Sequence, residues 1–497
     1  MPLHRHSLRI AVLAALSLPM LAHADVWVFE PSAAIDQRFD DNYTIDPDRA
    51  DKVSATRVVG TLGLSREAPA AKFSGLIRVD GLITQSDEQS GELSSNQVLF
   101  LNSEFNSART VYGIGFNLKR DTPSRDIAAD LTDIASVAAD TGASVTQDNN
   151  VARTRLLITP NWKFNLTRRT TVEAGLDYTQ VEHELPSATD VLTAKWLAGP
   201  EAMAGAPFPN PITIDDTGFF TIDDELDDYK ETALNVAVKT KLTPITTLSF
   251  FAGYSDYVAE SEPDRNLVNI PFEALIPDGE VKDIRRVPKR ETRSNTTKFR
   301  IGYDRAFTQT LNVGFQVGIF TTQIDDSDLI RDSDVIPAGS DPGPAQERLD
   351  EALSNRVSST NGYLAAITAT KNAGITRYSF KFGVDVLPSD IGSQVESLEA
   401  VGALERELGP LLDFSFRIRA YEPDRLDSKG EDDFSRRFLS MEPKLIWRFS
   451  RAWTTAASYR YRRQKSQADT GTGVSNALLF SLKYTPPSAI RDAELAK

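Results

Sequence analysis

Apolar side chains fall on every second position of this chain over stretches of about ten residues, and the stretches recur from one end to the other. Leu311, Val313, Phe315, Val317 and Ile319 alternate with Asn312, Gly314, Gln316 and Gly318. Leu412, Phe414, Phe416 and Ile418 alternate with Asp413, Ser415, Arg417 and Arg419. The same holds for Tyr378, Phe380, Phe382 and Val384 against Arg377, Ser379, Lys381 and Asp385. Tyr112 to Leu118 and Leu156 to Phe164 repeat it. Successive side chains of a strand point to opposite faces, so each stretch predicts a strand with one apolar face and one small, polar or charged face. Soluble sandwich strands alternate too, but at about half this length.

The connections carry a second rhythm. Short ones, at Glu67–Ala70, Asn106–Ala108, Leu166–Arg169, Thr243–Thr246, Ala306–Thr308, Asn372–Ile375, Leu408–Pro410 and Ser450–Arg451, alternate with long acidic segments. The long ones include Arg120–Asn150, Pro186–Asp228, Ser261–Arg290 and Asp325–Asn355. Short turns on one side and long loops on the other are the layout of an antiparallel β-barrel of an outer membrane. The predicted fold class is therefore all-β, a transmembrane antiparallel barrel of about eighteen strands. Expected strand centres are Phe29, Val58, Ile77, Phe100, Ile114, Ile158, Leu176, Val236, Phe250, Phe299, Phe315, Leu364, Phe382, Leu398, Phe416, Leu445, Ser458 and Phe480. The run Gln394–Glu407 around Leu398 reads equally as a short helix, which would lower the count toward about sixteen. Aromatic residues near strand ends, among them Trp27, Trp162, Trp447, Trp453 and Tyr484, match interfacial girdles. Helical spacing inside two long segments, Ser124–Thr141 and Pro344–Asn355, points to locally folded loops, with a plug as the alternative.

Composition narrows the rest. None of the 497 residues is Cys, which removes disulfides, thiolate metal sites and cysteine nucleophiles. Arg5 and Arg9 precede the apolar run Ile10–Leu21, and Ala22-His23-Ala24 follows, so residues 1–24 read as a secretory signal peptide. The barrel is then expected over 25–487, with a charged periplasmic tail at 488–497 after Pro486-Pro487. No later run has the roughly eighteen apolar residues of a spanning helix. Three of the four histidines lie in the leader, which leaves His183, in Val181-Glu182-His183-Glu184, as a polar residue at a strand end. With no Gly-rich phosphate loop, paired metal ligands or G-x-S-x-G element, the chain is expected not to be an enzyme and to need no cofactor. Its net charge of −15 disfavours nucleic acid.

Against that acidic whole, the polar strand face is basic. It carries Lys298, Arg300, Arg377, Lys381, Arg417, Arg419, Arg448, Arg460 and Arg462, with further cations such as Arg57, Arg78 and Lys119. Its acids are fewer, among them Asp36, Asp80, Glu173, Asp304, Asp385, Asp413 and Glu442. A basic lumen favours anions, because a low-dielectric wall focuses the field. The alternative is cross-strand pairing, for instance Arg78 with Asp80 or Arg300 with Asp304, that only keeps the wall hydrated. Acidic loop residues Asp215, Asp216, Asp223 and Asp224 are weak candidates for Ca²⁺, without EF-hand spacing.

The opening stretch Trp27-Val28-Phe29-Glu30-Pro31, running to Phe39-Asp40-Asp41-Asn42-Tyr43, is similar to that of outer-membrane barrels associated with bacterial exopolysaccharide gene clusters, including exosortase systems. The late hairpin, Ala456–Arg463 and then Ser475–Tyr484, resembles the same family. The resemblance implies export or surface assembly of extracellular polysaccharide, and no catalytic residues. The reading is thus a monomeric outer-membrane channel exporting an anionic exopolysaccharide along the basic residues named above. The alternatives are a general or anion-selective diffusion porin and a non-conducting structural or adhesive barrel. Expected partners are outer-membrane lipid and lipopolysaccharide, an anionic polysaccharide and periplasmic export components, in a Gram-negative outer membrane.

Overall fold

The structure, a computed structural model, describes residues 27–42, 45, 52–86, 92–121, 152–184, 213–214, 220–221, 228–261, 289–329, 356–388, 394–425, 436–466 and 471–486. The expected signal peptide, the two expected loop helices and the C-terminal tail lie outside them. Every regular element among the described residues is a strand.

Seven strands come first: β1 (Trp27–Asp40), β2 (Val53–Ala68), β3 (Ala71–Ser86), β4 (Glu92–Asn106), β5 (Thr110–Asp121), β6 (Ala152–Asn165) and β7 (Thr170–Glu184). A two-residue-by-two-residue hairpin, β8 (Thr213–Ile214) with β9 (Phe220–Thr221), stands apart from the main sheet. Then follow β10 (Asp228–Thr243), β11 (Thr246–Ser261), β12 (Lys289–Ala306), β13 (Leu311–Leu329), β14 (Arg356–Ala373), β15 (Thr376–Pro388) and β16 (Gln394–Gly409). The last four are β17 (Leu412–Arg425), β18 (Arg436–Trp447), β19 (Trp453–Ser466) and β20 (Thr472–Tyr484). Eighteen of these form one sheet in which chain neighbours pair antiparallel. The sheet closes on itself where β1 pairs with β20, from Ala33 opposite Tyr484 to Asp40 opposite Ala477. All the expected strand centres lie in barrel strands, and the ambiguous stretch around Leu398 is strand β16, paired along its length with β15 and β17.

The turns follow from short side chains that satisfy the backbone locally. Thr167 Oγ1 accepts the Thr170 N–H at 2.9 Å, Thr308 Oγ1 the Leu311 N–H at 3.0 Å and Ser450 Oγ the Trp453 N–H at 3.1 Å. At the β14–β15 hairpin, Gly374 takes φ +62°, a conformation the two-residue turn requires and a side chain resists.

The packing is inverted relative to a soluble domain. Val317 is 62% exposed and Ile319 55%, while Thr296, Thr322 and Ser475 are fully buried and Arg460 and Arg462 nearly so. The outward face is thus apolar and the inward face polar. Closely spaced rings at the short-turn end, Trp447–Phe449 at 5.6 Å and Trp453–Tyr484 at 4.8 Å between centroids, form part of the expected aromatic girdle.

Candidate functional site

The candidate site is the inner wall, and register decides its layout. Asp36 stands opposite Arg57, Arg417 opposite Glu442, and Lys163 opposite Glu173, all on the inward face. Arg57 Nε donates to Asp36 at 2.9 Å. Arg460 Nε donates to Glu442 at 2.8 Å. Arg78 reaches Asp80 at 3.1 Å, as expected, and Asn96 Nδ2 donates to the other oxygen of Asp80 at 3.1 Å. Arg448 pairs with Asp413 beside the last short turn.

Elsewhere two cations share one carboxylate. Lys298 and Arg300 of β12 both reach Asp385 of β15. Lys381 of β15 and Arg419 of β17 meet at Glu399 of β16, at 3.1 and 3.0 Å. Lys163 and Lys239 flank Glu173 at 3.6 and 2.6 Å. Lys119 and Arg153 hold Asp121 at 2.7 and 3.2 Å. Arg462, at 2.8 Å, and Arg38 converge on Asp40. Counted by its own three side chains, each triad has one positive charge beyond neutrality, with Glu231 of β10 also acting on Lys298, and the five are spread around the circumference.

The Asp385 triad shows how sequence and geometry combine. Arg300, Gly318 and Leu364 lie on one rung, and Asp385 belongs to the next strand, about 14 Å away along the sheet. The arginine crosses because Gly318 has no side chain: a Cβ there would sit 2.8 Å from Arg300 Cγ and 2.1 Å from Phe299 O. Arg300 therefore pairs with Asp385 and not with Asp304 on its own strand, which the sequence had suggested. Residues four apart on a strand are about 13 Å apart, and Asp304 leans over Gly314 instead. Two arginines also face rings, Arg300 over Phe251 at 5.4 Å and Arg419 over Tyr421 at 5.2 Å.

Of the expected track, Lys298 with Arg300 and Lys381 with Arg419 are brought together, while Arg460 and Arg462 sit on other carboxylates. Arg377, Arg417 and Arg448 line a recess of about 600 Å³ near the short turns, together with Lys444, Glu405, Glu407, Asp413 and Glu442. Sequence reasoning missed Arg38, Asp40, Asp121, Arg153 and Glu399. Carrying the alternation of Asp36 two and four residues on would have found Arg38 and Asp40. Asp121 was assigned to a loop, and Glu399 lies on the strand that also read as a helix. With these acids included, the wall is less lopsided than the sequence implied.

Exposure divides the wall. The side chains of Lys163 and Arg448, near the short turns, are 49% and 50% exposed, whereas Arg462, near the long connections, keeps 2%. His183, expected as a polar residue at a strand end, does lie near the end of β7, but its side chain is buried, with Nδ1 3.4 Å from Asp228, whose carboxylate also accepts the His183 N–H at 2.6 Å. The candidate Ca²⁺ ligands Asp215, Asp216, Asp223 and Asp224 lie outside the described residues. Among the described residues no group of three His, Asp or Glu is placed to hold a metal ion.

No protein-family model and no curated protein matches this chain. Solved structures do. OccK5 (OpdH) of Pseudomonas aeruginosa is 10% identical with a TM-score of 0.40, covering 92% of this chain and 98% of its own. OccK2 (OpdF) of Pseudomonas aeruginosa, solved in complex with glucuronate, is 9% identical with a TM-score of 0.41, covering 93% and 98%. OccAB4 of Acinetobacter baumannii is 11% identical with a TM-score of 0.38, covering 94% and 99%. What these chains share is the fold.

Proposed function

We propose that the protein is an outer-membrane channel that passes small anionic solutes by diffusion. The carrying observation is the set of five two-cation, one-carboxylate triads on the inner wall, at Asp40, Asp121, Glu173, Asp385 and Glu399. Ion pairing alone would not need the second cation. A surplus positive charge on a low-dielectric wall raises the local anion concentration, and sites of modest strength in series admit and release a solute. The outer-membrane setting is supported by the outward apolar face: hydrocarbon solvates Val317 and Ile319 where water would not.

Export of an anionic exopolysaccharide, which the resemblance of the first and last strands implies, would use the same wall charge. It also requires room for an extended polymer along the whole lumen. The burial of Arg460 and Arg462 in the loop-side half argues for the smaller solute.

The test is single-channel recording of the purified barrel in a planar bilayer, comparing wild type with the double variant Lys381→Gln/Arg419→Gln. The expected result is an open channel whose preference for chloride over potassium falls in the variant. A barrel that carries no current is structural, and an unchanged ion preference in the variant refutes the role of the triads.

A further inference from the structure

Not every cation of the barrel serves the lumen. On β19 the outward series runs Trp453, Thr455, Ala457, Tyr459, Tyr461, and then changes to Arg463 and Lys465. On β18 the outward series ends in Leu439 and Arg437, with Arg437 directly opposite Lys465 and Leu439 opposite Arg463. All three cations are exposed. Arg437 bonds Glu422 at 2.8 Å, while Arg463 and Lys465 have no ion-pair partner among the described residues. Three strands thus place three cations, from β18 and β19, and one acid, Glu422 of β17, together on the outside of the barrel.

The height of the cations is set by the strand itself. Trp453 and Trp447 mark the short-turn edge of the apolar face, and Arg463 and Arg437 each lie ten residues further along. Ten residues span about 33 Å of strand, or about 25 Å along the membrane normal at a tilt of about 40°, which equals the height of a barrel's apolar band. The cations therefore emerge just beyond the hydrocarbon, on the side of the long loops, beside the ring of Tyr461. Charges at mid-membrane would be costly, and charges facing the lumen would point the other way. On the other flank of β19, Phe39, Tyr459 and Leu478 wall an outward recess of about 700 Å³ with Lys52 and Asp41 also lining it. The recess lies along the same strand, with Tyr459 four residues from Arg463.

We infer that the outward patch Arg437–Arg463–Lys465 is a docking site for the phosphorylated headgroup of an outer-leaflet lipid. The inference rests on the membrane reading above. Exposed cations at the level where headgroup phosphates lie, two of the three without an ion-pair partner among the described residues, are complementary in charge to them, and the arginine fork suits phosphate. Binding there would fix the rotation and depth of the barrel in the leaflet without involving the channel.

The experiment uses the folded barrel in detergent, with lipid A carrying both phosphates and with dephosphorylated lipid A as probes, and native mass spectrometry to read occupancy. Wild type is expected to bind the phosphorylated form more tightly. The triple variant R437Q/R463Q/K465Q, confirmed as folded by its gel mobility before and after heating, should lose about a hundredfold in that affinity, at roughly fivefold for each cation near a membrane surface. Lys230→Gln, an exposed lysine on the far side of the barrel, should change nothing. Equal binding of both lipids by wild type, or undiminished binding of the phosphorylated form by the triple variant, overturns the site while leaving the membrane reading intact. Binding of neither lipid by wild type overturns the site as well, whereas the membrane reading fails only if the barrel stays monodisperse after the detergent is removed.

Discussion

Asp40 is where the closed barrel is most exposed to a single substitution. It sits at the end of β1, in the short ladder that joins the first strand to the last. Its carboxylate, with no solvent exposure, accepts from Arg462 Nη2 at 2.8 Å, Ser475 Oγ at 2.8 Å and the Asn42 N–H at 3.0 Å, and also from Arg38. Asp40→Asn keeps the shape but removes the charge and one of the two acceptor oxygens, replacing it with an amide donor that faces two of the four donors. Two guanidinium groups, 2% and 12% exposed, then lose the carboxylate charge they share. One charge pair at 2.8 Å contributes about 6 kcal/mol at an effective dielectric of about 20 before desolvation is subtracted. Breaking a buried pair by deleting one partner costs about 3–5 kcal/mol. The internal control is Glu173→Gln, which dismantles a triad of the same formal charge whose two lysines are about half exposed, and there the cost should be about 1 kcal/mol or less. Urea unfolding of the barrel in lipid vesicles, followed by tryptophan fluorescence, measures both. If Asp40→Asn unfolds within about 0.5 kcal/mol of wild type, or if Glu173→Gln is the more damaging, then burial does not set the strength of these triads.

Three further outcomes follow from the same geometry. Val317→Lys places an ammonium on the outward apolar face and should destabilise the barrel in a bilayer by about 2–4 kcal/mol, although the site is 62% exposed; a soluble barrel would tolerate it, so unaltered urea stability in vesicles would count against a lipid-facing wall. Gly473→Ala puts a methyl group 1.7 Å from the carbonyl oxygen of Ile45, a buried residue already held at φ 57°, so the β1–β20 seam should lose about 1–3 kcal/mol or more, read as a lower unfolding midpoint. Gly318→Ala meets Phe299 O at 2.1 Å and should detach Arg300 from Asp385, lowering both stability and anion preference; wild-type values in both would show that the arginine has another route to its carboxylate.

Much of the fold was legible because a barrel strand writes its two solvents into alternate residues. Leu311 to Ile319 is unambiguous in that sense: no helix keeps five apolar side chains on strictly alternate positions. Gln394–Glu407 was not, because Val395, Leu398, Val401 and Leu404 also fall three apart, as on a helix. What decides there is the pair of strand edges that β15 and β17 offer, which local sequence does not contain. Which face the mid-strand charges take was legible, since a charge within the apolar band of a barrel must turn inward. Their pairing was not. Lys381 and Arg419 come from different strands to share Glu399 on a third, and Arg300 reaches Asp385 only because Gly318 clears the path. Both depend on register across several strands. The outward Arg437 and Lys465 were passed over for a related reason: they lie at strand ends, where alternation gives no warning that the apolar face has ended.

The most direct measurement is the reversal potential of the unmodified barrel in a planar bilayer under a potassium chloride gradient. A wall with surplus cations at five stations predicts that the zero-current voltage shifts toward the chloride equilibrium potential. A shift toward the potassium potential, in a channel that demonstrably conducts, would contradict the account of the inner wall.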